Sequence, residues 1–96
     1  MIVNDRETPE GLLVSVCDED VLGETFESDE ISLTVTEEFY DGESADDDIV
    51  VDSLSRAAVA NIVGRDAVEL AIEAGFVEEG NVLEVGTTLH AQFLRM

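Results

Sequence analysis

The sequence predicts an α+β fold, a mostly antiparallel sheet with a pair of helices packed on one face, in a single domain over residues 1–96. Three observations carry this expectation. Val50 to Phe76 is the only long stretch with low acid content and a sustained apolar rhythm, and it reads as two consecutive helices separated by Gly64. Several segments on either side alternate apolar and polar residues as strands do. The resulting order, strands then helical pair then strands, is that of a sheet with its helices on one face.

Taken in order, residues 1–10 are mostly polar, and Pro9 close to Gly11 marks the turn into the fold. Gly11 to Cys17 reads as a strand that ends in Asp18-Glu19-Asp20, and Leu22-Gly23 reads as a turn. Thr25 to Glu27 is a short strand and Glu27 to Glu30 a hairpin loop. Ile31 to Thr36 is the cleanest strand pattern, with Ile31, Leu33 and Val35 expected inward. Phe39-Tyr40 closes it before the turn Asp41 to Ser44. Asp46, Asp47 and Asp48 lead into the first helix, where acids suit the cap and the dipole. In that helix Val51, Leu54, Ala58 and Ile62 fall on one face. In the second, Val68 and Ile72 form a stripe extended by Phe76, with Ala71 beside it and Asp66, Glu69 and Glu73 on the solvated side. Gly64 and Gly75 are placed as helix stops. Glu78 to Asn81 is a turn, and Val82 to Val85 and Thr88 to Leu94 are strands broken at Gly86, a hairpin or one bulged strand.

Charge narrows the setting. The chain carries 24 acidic residues against four arginines (Arg6, Arg56, Arg65, Arg95) and no lysine, for a net charge of −20. Self-repulsion on that scale destabilises a compact state at low ionic strength. Yet 45% of residues are hydrophobic, which is not the composition of a disordered chain. Acids spread along most of the chain fit a halophilic protein in a cytoplasm of molar salt, where K⁺ or other counterions screen over roughly 3 Å. Four arginines neutralise few phosphates, so direct nucleic-acid binding is not expected. No apolar run approaches the roughly 18 residues of a membrane helix, and MIVNDRETPE lacks the basic start and apolar core of a signal peptide, so a cytoplasmic location is expected.

The segments Leu13-Val14-Ser15-Val16-Cys17-Asp18 with Val21-Leu22-Gly23, Glu38-Phe39-Tyr40, Ala60-Asn61-Ile62-Val63-Gly64 with Ala67-Val68, and Asn81-Val82 before His90-Ala91 resemble, as an ordered set, an archaeal family known as domain of unknown function 424. The resemblance covers nearly the whole chain. It implies an archaeal, cytoplasmic, single-domain protein without an established activity, and with the acidic composition a halophilic archaeon. It brings no catalytic residues with it.

Site chemistry is therefore read from the residues. Cys17 and His90 are the only cysteine and histidine. Acids at 18, 19 and 20 suppress a Cys17 thiolate, which favours a small buried residue over a nucleophile. One Cys and one His without ligand spacing make no zinc site. Their one catalytic arrangement places both on neighbouring strands facing the same side. Asp46 to Asp48 lacks the calcium-loop pattern, and neither a metal nor a cofactor is expected. The second helix offers acids where a DNA-recognition helix needs basic and polar residues. Possible interaction residues are Phe39, Tyr40, Asn61, Arg65 and His90. Of the Phe39-Tyr40 pair one belongs in the core and the other outside, and Asn61 beside an apolar stripe suits a backbone contact.

Three function classes follow. The first is a non-catalytic protein-binding or accessory module, which predicts an exposed apolar patch that includes Tyr40 or Leu94. The second is an accessory of translation or RNA processing, which predicts the four arginines on one face. The third is a small enzyme using Cys17 and His90, which predicts the two within hydrogen-bond reach.

Overall fold

The structure, a computed structural model, describes residues 1–95. In chain order it consists of β1 (Ile2–Thr8), β2 (Gly11–Cys17), β3 (Thr25–Ser28), β4 (Ile31–Thr34), α1 (Glu37–Tyr40), β5 (Glu43–Ser44), α2 (Asp47–Arg56), β6 (Val59–Val63), α3 (Arg65–Glu73), β7 (Leu83–Val85) and β8 (Thr88–Leu94). Six strands form one sheet in the order β5-β1-β2-β6-β8-β7, and β3 pairs with β4 in a separate hairpin. The sheet is antiparallel except at its centre, where β2 and β6 run parallel. A parallel neighbour needs a crossover, and α2 lies on the connection that supplies it.

The expected α+β class, with two helices on one face, is the fold observed. The main difference lies at residues 57–63. The first helix does not run to Gly64: α2 ends at Arg56, and Val59–Val63 is the sheet's central strand. The residues explain this. Val59, Ile62 and Val63 are β-branched, and a strand covered on both faces reads as a nearly continuous apolar run without polar alternation. The buried face of α2 is Val50, Ser53 and Leu54, while Ala58 and Ile62 belong to the connection and to β6. Gly64 accordingly stops no helix but precedes α3, at φ 116°. Gly75 is the stop expected, at φ 84°, with the Phe76 N–H returning to the Ala71 carbonyl at 2.9 Å.

Three smaller differences follow. The polar N-terminal stretch is a strand, β1, joined to β2 through Pro9-Glu10. Phe39-Tyr40 closes no strand but ends the single turn of α1. Ile31 is 42% exposed, whereas Leu33 is half-buried and Val35 fully buried. Asp46 is the N-cap of α2, its Oδ1 accepting from the Ile49 N–H at 3.0 Å. Residues 83–94 form a hairpin.

Two apolar layers result. On one face, Val50 and Leu54 of α2 and Ala67, Val68 and Ala71 of α3 pack on Val14, Val16, Ala60, Ile62 and Ala91. On the other, Cys17 and Val63 pack with Val21, Val35 and Tyr40, joined by Phe26, Leu33 and Phe39 of the hairpin and α1.

Candidate functional site

Paired residues on adjacent strands point to the same side of a sheet. Register therefore sorts the face opposite α2 and α3 into rows. Cys17, Val63 and His90 form one row, Ser15, Asn61 and Gln92 the next, and Leu13, Val59 and Leu94 the last. The hairpin and α1 cover the first row. The third is left open: Leu13 and Val59 are half-buried, Leu94 is 67% exposed, and none of the three joins either core cluster. Val59, Asn61, Gln92, Phe93 and Leu94 line a shallow depression there. Three apolar side chains in a line with two carboxamides beside them can take an apolar partner surface and satisfy its polar rim.

The residues singled out from the sequence divide accordingly. Asn61 and His90 share this face, and Phe39 sits half-buried on α1, with its ring against Tyr40 and the Arg6 guanidinium 5.8 Å above it. Asn61 stands on a strand rather than in a helix. Tyr40 is the core member of its pair, at 5% exposure, and burial pushes its hydroxyl up to about 12. Arg65 begins α3 in a different place, with its guanidinium 3.9 Å from Glu84.

Cys17 and His90 face the same side, but β6 runs between them, which separates their backbones by roughly 10 Å. Cys17 has no exposed surface, and burial, reinforced by Asp18, pushes its thiol up to about 11. His90 Nδ1 lies 3.2 Å from the Ile62 carbonyl; a protonated Nδ1 donates there, which leaves Nε2 as the basic nitrogen. Burial lowers the His90 pKa, an effect the Ile62 bond opposes. This geometry does not pair a base with a nucleophile.

At the C-terminal ends of the two parallel strands Asp18 meets α3. Its carboxylate accepts from the Asp66 N–H at 3.0 Å and the Ala67 N–H at 2.9 Å, and so fills the helix N-terminus with the chain's own anion. Burial raises the Asp18 pKa, and the two N–H bonds pull it back. A Cβ on Gly64 would stand 2.4 Å from Asp18 Cγ, which accounts for a glycine at the end of β6. The adjoining cleft, lined by Asp18, Asp20, Glu24, Asp66 and Arg65 among others, is acidic. Among the described residues no group of three or more His, Cys, Asp or Glu is placed to hold a metal ion.

Each arginine has a local partner. Arg6 donates to the Glu38 carbonyl, Arg56 bridges Asp5 and Asp52, and Arg65 is near Glu84. Arg95 donates to the Ser55 carbonyl at the end of α2 and lies over the Phe93 ring, 4.9 Å from its centroid. No helix of the described residues is long and apolar enough to cross a membrane.

The open row escaped sequence reading because two of its three members sit on strands whose partnership is not local. The alternation in Gly11–Cys17 gave the phase of Leu13, but Val59 could be placed only once β6 was known to be a strand.

No curated protein matches the chain. Among solved structures it is similar to the crystal structure of an uncharacterized conserved protein from Methanopyrus kandleri, with a TM-score of 0.79 and 24% identity over 99% of this chain and 92% of that one. That likeness shows a shared fold. The family described as Protein of unknown function (DUF424) matches residues 6–96, and the chain belongs to that family.

Proposed function

We propose that this protein is a non-catalytic binding module, an accessory that works by docking a partner protein on the open row Leu13, Val59 and Leu94. The observation that carries the reading is the uncovered end of an otherwise packed sheet: Leu94 is 67% exposed beside two half-buried aliphatic neighbours. The charge of the chain selects the occupant. A second copy would bring another −20, so a partner with an apolar face rimmed by Lys or Arg is the better fit. The buried Cys17 and its separation from His90 favour binding over thiol chemistry. The commitment of all four arginines to groups of the same chain disfavours a phosphate-binding role.

The same reading places the protein in a haloarchaeal cytoplasm, where molar K⁺ screens its surface; the net charge supports that setting. The test is affinity capture from lysate in molar KCl, comparing the wild type with Leu94→Asp and with Ile49→Asp, a change at a 52% exposed position on α2. One stoichiometric protein retained by the wild type and by Ile49→Asp but lost with Leu94→Asp is expected. Equal retention by both variants, or no stoichiometric protein, would remove the proposal.

A further inference from the structure

We infer that the outer edge of the β3–β4 hairpin receives an extended basic segment of a partner protein, added as a third strand beside β4. This site is distinct from the open row and rests on other observations. The register pairs Ser28 with Ile31, Glu27 with Ser32, Phe26 with Leu33 and Thr25 with Thr34. The Val35 N–H donates to the Glu24 carbonyl at 2.9 Å and its carbonyl accepts from the Gly23 N–H at 2.7 Å, so both backbone groups of Val35 face β3. Along an antiparallel strand this alternates. Leu33 and Ile31 therefore face β3 as well, and Ser32 and Thr34 turn their N–H and C=O groups outward.

Those groups are open. Among the described residues β4 pairs with β3 alone, and Ser32 and Thr34 are both exposed. The other strand is shielded, because the β7–β8 turn rests on it: the Gly86 N–H donates to Ser28 Oγ at 2.6 Å, and a Cβ on Gly86 would lie 3.2 Å from the Glu27 carbonyl oxygen. The hairpin thus has one closed edge and one free edge. Proteins commonly blunt a free edge with lysine, proline or a bulge, and Ile31-Ser32-Leu33-Thr34 carries none of these.

Charge identifies the occupant. Residues 18–48 hold 14 of the chain's acids and no Lys, Arg or His. Asp29 and Glu30 precede β4, and Glu37 and Glu38 follow it in α1. A second copy of this edge or a nucleic acid would be repelled. A strand that alternates Lys or Arg with β-branched residues would pair with the outward groups of Ser32 and Thr34 and lay its cations between the flanking acids.

The test uses a synthetic octapeptide alternating Lys and Val, at the lowest KCl concentration that keeps the native far-ultraviolet dichroism, with residue-resolved amide exchange. Saturation should slow exchange of the Ser32 and Thr34 amides at least tenfold. Of two N-methylated peptides, one blocked at every Val and one at every Lys, the form that blocks the amides facing β4 should bind at least tenfold more weakly. Thr34→Pro, which removes an outward N–H while keeping the inward rungs, should weaken binding severalfold. Leu94→Asp should leave the peptide's affinity unchanged, which separates this site from the sheet face. Unchanged exchange at Ser32 and Thr34, or two N-methylated peptides that bind as tightly as the parent, would overturn the inference and leave only attraction between charges.

Discussion

On one face of the sheet α2 and α3 bring Val50, Leu54, Ala67, Val68 and Ala71 to zero exposure against Val14, Val16, Ala60 and Ile62. On the other, a two-stranded hairpin and a single helical turn cover the Cys17 end and leave Leu13, Val59 and Leu94 without a layer. The charge divides in the same way. The chain between β2 and α2, residues 18–46, which supplies the second layer, holds 12 acids without a basic residue. The closed face carries the fold, while the thin acidic cap leaves apolar surface and a strand edge uncovered among the described residues.

The largest expected break comes on the closed face. Leu54→Ala removes a fully buried side chain between α2 and the sheet and should cost about 2–5 kcal/mol in chemical unfolding. The corresponding change in the cap, Leu33→Ala, removes a half-buried side chain and should cost clearly less in the same measurement. Equal losses would mean that the two layers carry the fold equally.

Gly64→Ala follows in size, because the backbone at φ 116° and ψ 151° is one that only glycine adopts readily. A strain of about 1–3 kcal/mol is expected, with displacement of Asp18 added, and thermal unfolding will show it. Asp18→Ala strips the acceptor from two N–H groups of α3 and should cost about 1 kcal/mol, whereas Asp18→Asn, which keeps one acceptor, should cost less. Because burial raises the Asp18 pKa, its ionisation works against folding. Stability from this group is fully present below 3.8 and lost as pH rises through the raised folded value, so the wild type should gain on Asp18→Asn as pH falls through that window.

His90 gives the smallest effect and the opposite sign. Its folded pKa lies below 6.5, so its contribution is present above 6.5 and lost as pH falls through the folded value. Relative to His90→Gln, the wild type should lose stability over that range, read from denaturant midpoints at successive pH values.

The contrast between the faces also marks what the sequence could show. The α3 stripe, an acidic cap among Asp46 to Asp48, Gly75 and the strand from Thr88 were legible because each depends on residues a few positions apart. Val59–Val63 was not, since Leu54, Ala58 and Ile62 keep helical spacing by coincidence across a helix end and a strand. Asn61, poor in a helix interior, was the local signal against that continuation. Alternation allowed Cys17 and His90 to face one side but could not show it, nor the strand between them, because strand order depends on distant pairings. Tyr40 was obscured because one helical turn is too short to display a period. The acids, spread along the chain at first reading, prove denser in residues 18–46, between β2 and α2, where the hairpin and α1 that form the cap lie.

The division between a structural face and an acidic cap is tested most directly by residue-resolved hydrogen exchange as KCl is stepped from molar to millimolar. Withdrawal of screening acts hardest where like charges crowd. Amides of β3, β4 and α1 should lose protection at higher KCl concentrations than those of β6 and α3. One common midpoint for all five elements, or earlier loss in β6 and α3, would contradict the account.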